Sequence, residues 1–167
     1  MDSGLSIYPS SNFPFTKVLE EHWQEIYAEY LGVQDSLVDY VERDLYDQGW
    51  KVFIMANFPH REVIHGNDVR CPFTMSLIKR HVPRPGVVCF SLLMPQTRIE
   101  PHEGFKGQYL RCHLGLKVPS GDCRLSLNGE SKAWANGKTI VFDDRFRHGA
   151  WNLTDEPRVV LLFDFIP

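Results

Sequence analysis

Seven histidines are present, and two of them stand where a metal could be held. These are His102, in Pro101-His102-Glu103-Gly104, and His148, in Phe146-Arg147-His148-Gly149. Neutral imidazole is the commonest protein metal ligand and suits iron, zinc and copper. A separation of 46 residues says nothing alone. It gains meaning because both histidines flank strand-like segments next to a polar strand face. Along Tyr109–Val118, alternation puts Leu110, Cys112, Leu114 and Leu116 on one side and Tyr109, Arg111, His113 and Gly115 on the other. The apolar side packs on a core. The other side, inside a barrel, offers a guanidinium and an imidazole to a carboxylate; outside one it is an ordinary solvated face. Arg158 leads into the apolar run Val159–Phe163, where it can form a salt bridge at a rim or bind an anionic ligand.

Many non-haem iron oxygenases hold the metal with two histidines and a carboxylate. The acid usually stands two residues after the first histidine, on the same face of extended chain. That position here is Gly104, which has no side chain. Glu103 should point the other way. Asp143 and Asp144 stay open as a third ligand or as partners that orient His148. His22, His60, His65 and His81 read as surface or packing residues.

The elements that must position these groups divide at about Trp50. Before it, Leu19, Trp23, Ile26, Tyr27 and Tyr30 recur at helical spacing within Phe15–Leu31. A second helix is expected from Asp35 as N-cap to a stop at Gly49, with Leu37, Val38, Val41 and Leu45 inward. A short helical turn follows Thr74 and breaks at Pro83 and Pro85. After Trp50, strands dominate: Lys51–Ala56, Val87–Leu93, Arg98–Pro101, Tyr109–Val118, Cys123–Leu127, Thr139–Phe142, Gly149–Asn152 and Arg158–Phe165. Short strands with regular turn signals suggest a sandwich, barrel or jelly roll. The expectation is one domain over residues 1–167, with a helical segment 1–49 and a β core 50–167.

Bulk properties exclude several classes. The 167 residues are 43% apolar and 23% charged, as in a globular chain. A formal net charge of -3 gives no sign of a nucleic-acid partner. No apolar run reaches the roughly 18 residues that span a bilayer. The first residues do not read as a secretory signal. Cys71, Cys89, Cys112 and Cys123 lack disulfide-scaffold spacing and read as reduced structural thiols of a cytoplasmic protein.

The stretch from Val87 to Pro167 resembles the aspartyl/asparaginyl β-hydroxylase family of Fe(II)/2-oxoglutarate oxygenases. The motifs that carry the resemblance are Phe90-Ser91, Pro101-His102-x-Gly104, Leu110-Arg111-x-His113-Leu114-x-Leu116, Trp134-x-x-Gly137, Phe142-Asp143-Asp144, His148, Trp151-Asn152 and Arg158-x-x-Leu161. Weaker similarity reaches back through Asn67, Cys71-Pro72 and Thr74 to about Trp50. The resemblance implies a double-stranded β-helix, a cupin-like jelly roll that is mainly β, with helices at the N-terminus. It implies iron on His102 and His148 alone, with Gly104 as the vacant acid position, which removes Asp143 and Asp144 as ligands. It implies a 2-oxoglutarate site at Ser91, Arg111, His113 and Arg158, with Arg158 on the distal carboxylate. Fe(II) would be the cofactor, with 2-oxoglutarate and O₂ as cosubstrates.

The resemblance also implies hydroxylation of an unactivated C–H bond, such as the β-carbon of an aspartyl or asparaginyl unit. Succinate and CO₂ would be released. The substrate would be a small molecule, an amino acid or a unit borne on a peptide or carrier. Tyr109, where animal peptide hydroxylases of the family carry a substrate-binding arginine, is the candidate substrate residue. Met94-Pro95-Gln96 replaces the usual Pro-Gly turn, and Phe146-Arg147-His148-Gly149 a more acidic context. Two other readings stand beside the hydroxylase: a halogenase with chloride in the vacancy, and a non-catalytic cupin-like binding module.

Overall fold

A computed structural model describes residues 6–58, 62–63, 66–104 and 106–167; His60 and His65 lie outside the described residues. Two antiparallel sheets dominate it. The larger runs in the order β1 (Ile7–Tyr8), β10 (Thr139–Phe142), β7 (Leu110–Lys117), β12 (Arg158–Phe165), β5 (Pro85–Leu93), β3 (Trp50–Asn57) and β2 (Val38–Asp39). β4 (Glu62–Val63) pairs with β3 off this path. The smaller runs β6 (Thr97–His102), β11 (His148–Asn152), β8 (Cys123–Leu127) and β9 (Glu130–Ala133). Three expected strands form with the expected bounds: Cys123–Leu127, Thr139–Phe142 and Arg158–Phe165.

Alternation along the large sheet separates two cores. Leu110, Cys112, Leu114 and Leu116 of β7 join Val159, Leu161, Phe163 and Phe165 of β12 in a cluster that also holds Phe15, Leu19, Ile26 and Tyr30. Helices α1 (Phe15–Glu21), α2 (Trp23–Val33) and, after the four-residue α3 (Asn67–Arg70), α4 (Pro72–His81) contribute to this outer cluster. The intervening residues Val160 and Leu162 face the other way, with Val52, Cys89, Ile99, Leu125 and Phe142, in the core between the sheets. Arg158, Ser91, His113 and Arg111 share that inward parity, so the pleat itself sends them between the sheets.

The region before Trp50 differs from expectation in one element. Residues 15–33 are helical but divide at His22, and no helix forms from Asp35 to Gly49. That stretch holds two single 3-10 turns and strand β2, with Val38 opposite Val52 and Asp39 opposite Lys51. Val38 is 62% and Val41 83% exposed, while Leu37 and Leu45 pack on different cores, so the four residues do not form one buried helix face. Two tertiary contacts hold the segment instead. The Tyr40 N–H donates to the Trp50 carbonyl at 2.8 Å, and the Tyr40 ring stacks on Trp50 with centroids 3.8 Å apart. The turn expected after Thr74 is a ten-residue helix, α4. It starts earlier because Glu29 of α2 accepts hydrogen bonds from the Phe73 and Thr74 amides at 2.7 and 2.8 Å. These are N-terminal donors that no helix carbonyl can satisfy.

Candidate active site

The two candidate ligand histidines end β6 and begin β11, and they are direct cross-strand partners. Their ring centroids lie 4.4 Å apart. Each Nδ1 faces a backbone carbonyl: Glu100 at 2.8 Å for His102 and Phe146 at 2.9 Å for His148. A carbonyl only accepts, so each Nδ1 carries a proton, and in the neutral ring the lone pair is on Nε2. This is the tautomer a metal needs at Nε2, fixed by the chain itself. Burial lowers the His148 pKa to about 4, against the opposing bond to the Phe146 carbonyl, so this imidazole is neutral near pH 7. The acid position is sterically closed. A Cβ on Gly104 would lie 2.6 Å from Asp144 Cγ and overlap its carboxylate oxygen. Among the described residues, no group of three or more His, Cys, Asp or Glu side chains gathers as a metal site. Asp143 is turned to Arg145, whose Nε donates to it at 2.8 Å.

Facing the histidines, the large sheet presents a set of hydrogen-bond donors. Ser91 of β5, His113 of β7 and Arg158 of β12 line the same small inner cleft as His102 and His148. Arg158 is 2% exposed, yet no carboxylate pairs with it among the described residues. Its Nη2 donates to Ser91 Oγ at 3.1 Å, and its Nε is buried without a partner. Burial lowers its pKa to about 10, so its charge is held at a cost that an anion would relieve. A buried cation with an unmet donor fits a carboxylate ligand. His113 is held well below the ordinary imidazole value, first by burial and then by Arg158, Arg111 and His148.

Arg111 stands differently. Its Nε and Nη2 make a bidentate pair with Asp164 at 2.7 and 2.9 Å, and its Nη1 lies 3.2 Å from Asp144. Burial alone would lower its pKa, but the two carboxylates outweigh burial and raise it. Arg111 lines both the inner cleft and a larger cavity of about 310 Å³. Trp50 and Leu162 are also common to the two walls. Tyr109 lines the larger cavity, with its ring against Gly86. Asp164 escaped the sequence reading, although alternation from Arg158 through Val160 and Leu162 puts it inward too. From sequence, Trp50 marks a boundary and Trp134 belongs to a motif; in the structure both indoles bond to residues of the cleft. His22 and His81 lie outside this site: His22 is near Glu25, and His81 ends α4.

Two facing antiparallel sheets with a polar cleft between them define the double-stranded β-helix class, cupin-like and mainly β. A prolyl-4-hydroxylase of Pseudomonas putida has the same fold, with a TM-score of 0.57 at 14% identity over 88% of this chain and 86% of that one. The family model described as aspartyl/asparaginyl beta-hydroxylase matches residues 20–167, and the chain belongs to that family of hydroxylases. An ornithine lipid ester-linked acyl 2-hydroxylase of Rhizobium tropici is 31% identical over 96% of this chain and 60% of its own length. The human aspartyl/asparaginyl beta-hydroxylase is 30% identical over 89% of this chain. The human aspartate beta-hydroxylase domain-containing protein 2 is 34% identical over the same share. The chain spans only 20% and 43% of those two human proteins. Among the described residues, no helix is long and apolar enough to cross a membrane.

Proposed function

We propose that this chain is an Fe(II)- and 2-oxoglutarate-dependent dioxygenase that hydroxylates an unactivated C–H bond. In the net reaction, substrate, O₂ and 2-oxoglutarate give the alcohol, succinate and CO₂. One observation carries the reading: a buried, unpaired arginine, with Ser91 and His113, faces two imidazoles whose Nε2 lone pairs are free. His102 and His148 would hold the iron, and Arg158, Ser91 and His113 the cosubstrate's carboxylates. Bound iron would supply the oxidising power that inserts one oxygen atom of O₂ into the C–H bond. The chain's own share is to bind, orient and exclude water. Arg111, already paired with two carboxylates, would order the wall between cosubstrate and substrate. The Asp144 carboxylate next to Gly104 disfavours chloride there and hence the halogenase reading.

The larger cavity would seat the substrate, with Tyr109 in its wall. An aspartyl, asparaginyl or related amino-acid unit, free or borne on a peptide or carrier, is the first class to test. An acyl group is a second reading, favoured by the Val52, Ile54, Val87 and Leu162 walls and by the name of the Rhizobium relative. We place residues 1–167 in one oxygenase domain. The four free, buried thiols support a cytoplasmic setting. The test is anaerobic loading with Fe(II), then O₂ and 2-oxoglutarate with a panel of amino acids, peptides and acyl compounds. Succinate release that rises with one substrate class supports the reading. No succinate above a protein-free control contradicts it.

A further inference from the structure

Trp50 lines the inner cleft and Trp134 stands behind its His113, and each indole donates its N–H to a group that faces the proposed carboxylate site. Trp50 Nε1–H donates to Ser91 Oγ at 2.9 Å. Trp134 Nε1–H donates to His113 Nδ1 at 3.2 Å. An indole N–H is a donor only, so the direction of both bonds is fixed. Ser91 Oγ also accepts from Arg158 Nη2 at 3.1 Å. Both acceptor sites of the hydroxyl are then filled, and its hydrogen is left to donate. His113 accepts at Nδ1, so the neutral ring carries its proton on Nε2, which also donates.

We propose that Trp50 and Trp134 are positioning residues that turn Ser91 and His113 into obligate donors, so that the site takes a carboxylate and rejects a group carrying its own hydrogens. The inference rests on the proposed function for the identity of the ligand, but not for the hydrogen-bond polarity. Trp134 has a second contact: the Arg158 guanidinium carbon lies 4.5 Å from the centre of its ring. One buried indole therefore braces two of the three donor residues. Its loop is pinned from both sides. Gly137 N–H donates to the Gly115 carbonyl at 2.8 Å, and Asn136 Oδ1 accepts from the Val118 amide at 2.7 Å. Gly137 takes φ +70, and a Cβ there would lie 2.7 Å from the Trp23 ring of α2. Only glycine combines that backbone with so close an approach.

The first measurement is ¹⁵N NMR of the metal-free wild-type protein labelled at histidine. His113 should show a protonated Nε2 and an unprotonated Nδ1. A protonated Nδ1 overturns the proposal without any variant having to fold. Trp134→Phe keeps a ring under Arg158 but removes the N–H. It should convert His113 to a mixture of tautomers and raise the 2-oxoglutarate Kd about tenfold, read from the visible band of the anaerobic Fe(II) protein. Trp50→Phe should also weaken 2-oxoglutarate, with the His113 tautomer unchanged. Trp151→Phe, whose indole serves Asp122, should change neither readout. The amide analogue 2-oxoglutaramate should bind wild type far more weakly than 2-oxoglutarate, and Trp134→Phe should narrow that gap. A Trp134→Phe protein with a lower Tm but an unchanged tautomer and Kd has lost packing only, which overturns the proposal. A wild-type protein that does not bind 2-oxoglutarate sinks the proposed function and leaves the tautomer to decide this inference.

Discussion

His102 and His148 are opposite residues of one antiparallel strand pair, with ring centroids 4.4 Å apart. Cross-strand partners share a sheet face, so the pairing of β6 with β11 is sufficient to bring two imidazoles together. The small sheet thus carries the proposed metal ligands, and the inward side of the large sheet carries the carboxylate-binding set. Both sets rest on strands, which fix side-chain positions better than loops do, and the register of β11 against β6 shifts only after His148.

Arg158 is the residue whose loss should separate cosubstrate binding from iron binding. Arg158→Gln should leave Fe(II) stoichiometry intact and raise the KM for 2-oxoglutarate by about 10- to 100-fold, the worth of a charged hydrogen bond of about 1.5–3 kcal/mol. Steady-state kinetics with an iron assay of the same sample checks both halves. A KM within twofold of wild type would move the carboxylate elsewhere.

Gly104 should not accept the acid that three-ligand relatives of this chemistry carry. Gly104→Asp places its Cβ against the Asp144 carboxylate and adds a second negative charge there. It should lower stability by about 1–3 kcal/mol, as overpacking does, and fail to tighten Fe(II). Thermal unfolding and anaerobic iron titration measure the two effects. A stable variant with tighter iron would mean that Asp144 moves aside freely.

Asp164 lies directly opposite Arg111 across β7 and β12 and makes the bidentate pair. Asp164→Ala leaves Asp144 as the sole partner of a guanidinium that is only 21% exposed. The variant should lose about 1–3 kcal/mol of stability. Urea unfolding reads this directly. Any gain in affinity for anionic substrates would show that Arg111 is then free to bind them.

Glu29 offers the contrast, since it acts on the fold alone. Its carboxylate caps α4 through the Phe73 and Thr74 amides and accepts from the Thr74 hydroxyl at 2.6 Å. Glu29→Ala should cost about 1–2 kcal/mol, as cap removal does, and leave kcat and the 2-oxoglutarate KM unchanged. Loss of activity in a folded variant would couple α4 to the site.

The β core was legible because its signals are local. Alternation in Tyr109–Val118 separated Leu110, Cys112, Leu114 and Leu116 from Arg111 and His113, and the two cores divide along that line. The helix expected from Asp35 to Gly49 does not form because its apolar residues share no face: Leu37 packs on the outer core, Leu45 on the inner one, and Val38 and Val41 are exposed. Val38 pairs with Val52 and Tyr40 stacks on Trp50, so partners beyond the segment's own end at Gly49 decide its conformation. The start of α4 depends on Glu29, 44 positions before Phe73. For the site, residue types named the candidates, but the pairing of Arg111 with Asp164 needed the register of β7 against β12. The donor polarity of Ser91 and His113 needed two tryptophans from other parts of the chain.

His102 and His148 are proposed to hold iron, with 2-oxoglutarate bound beside it. Anaerobic titration of the metal-free protein with Fe(II) in the presence of 2-oxoglutarate, followed in the visible region, tests it most directly. A charge-transfer band should saturate at one iron per chain and be abolished in both His102→Ala and His148→Ala. A band of undiminished intensity in either folded variant would contradict it.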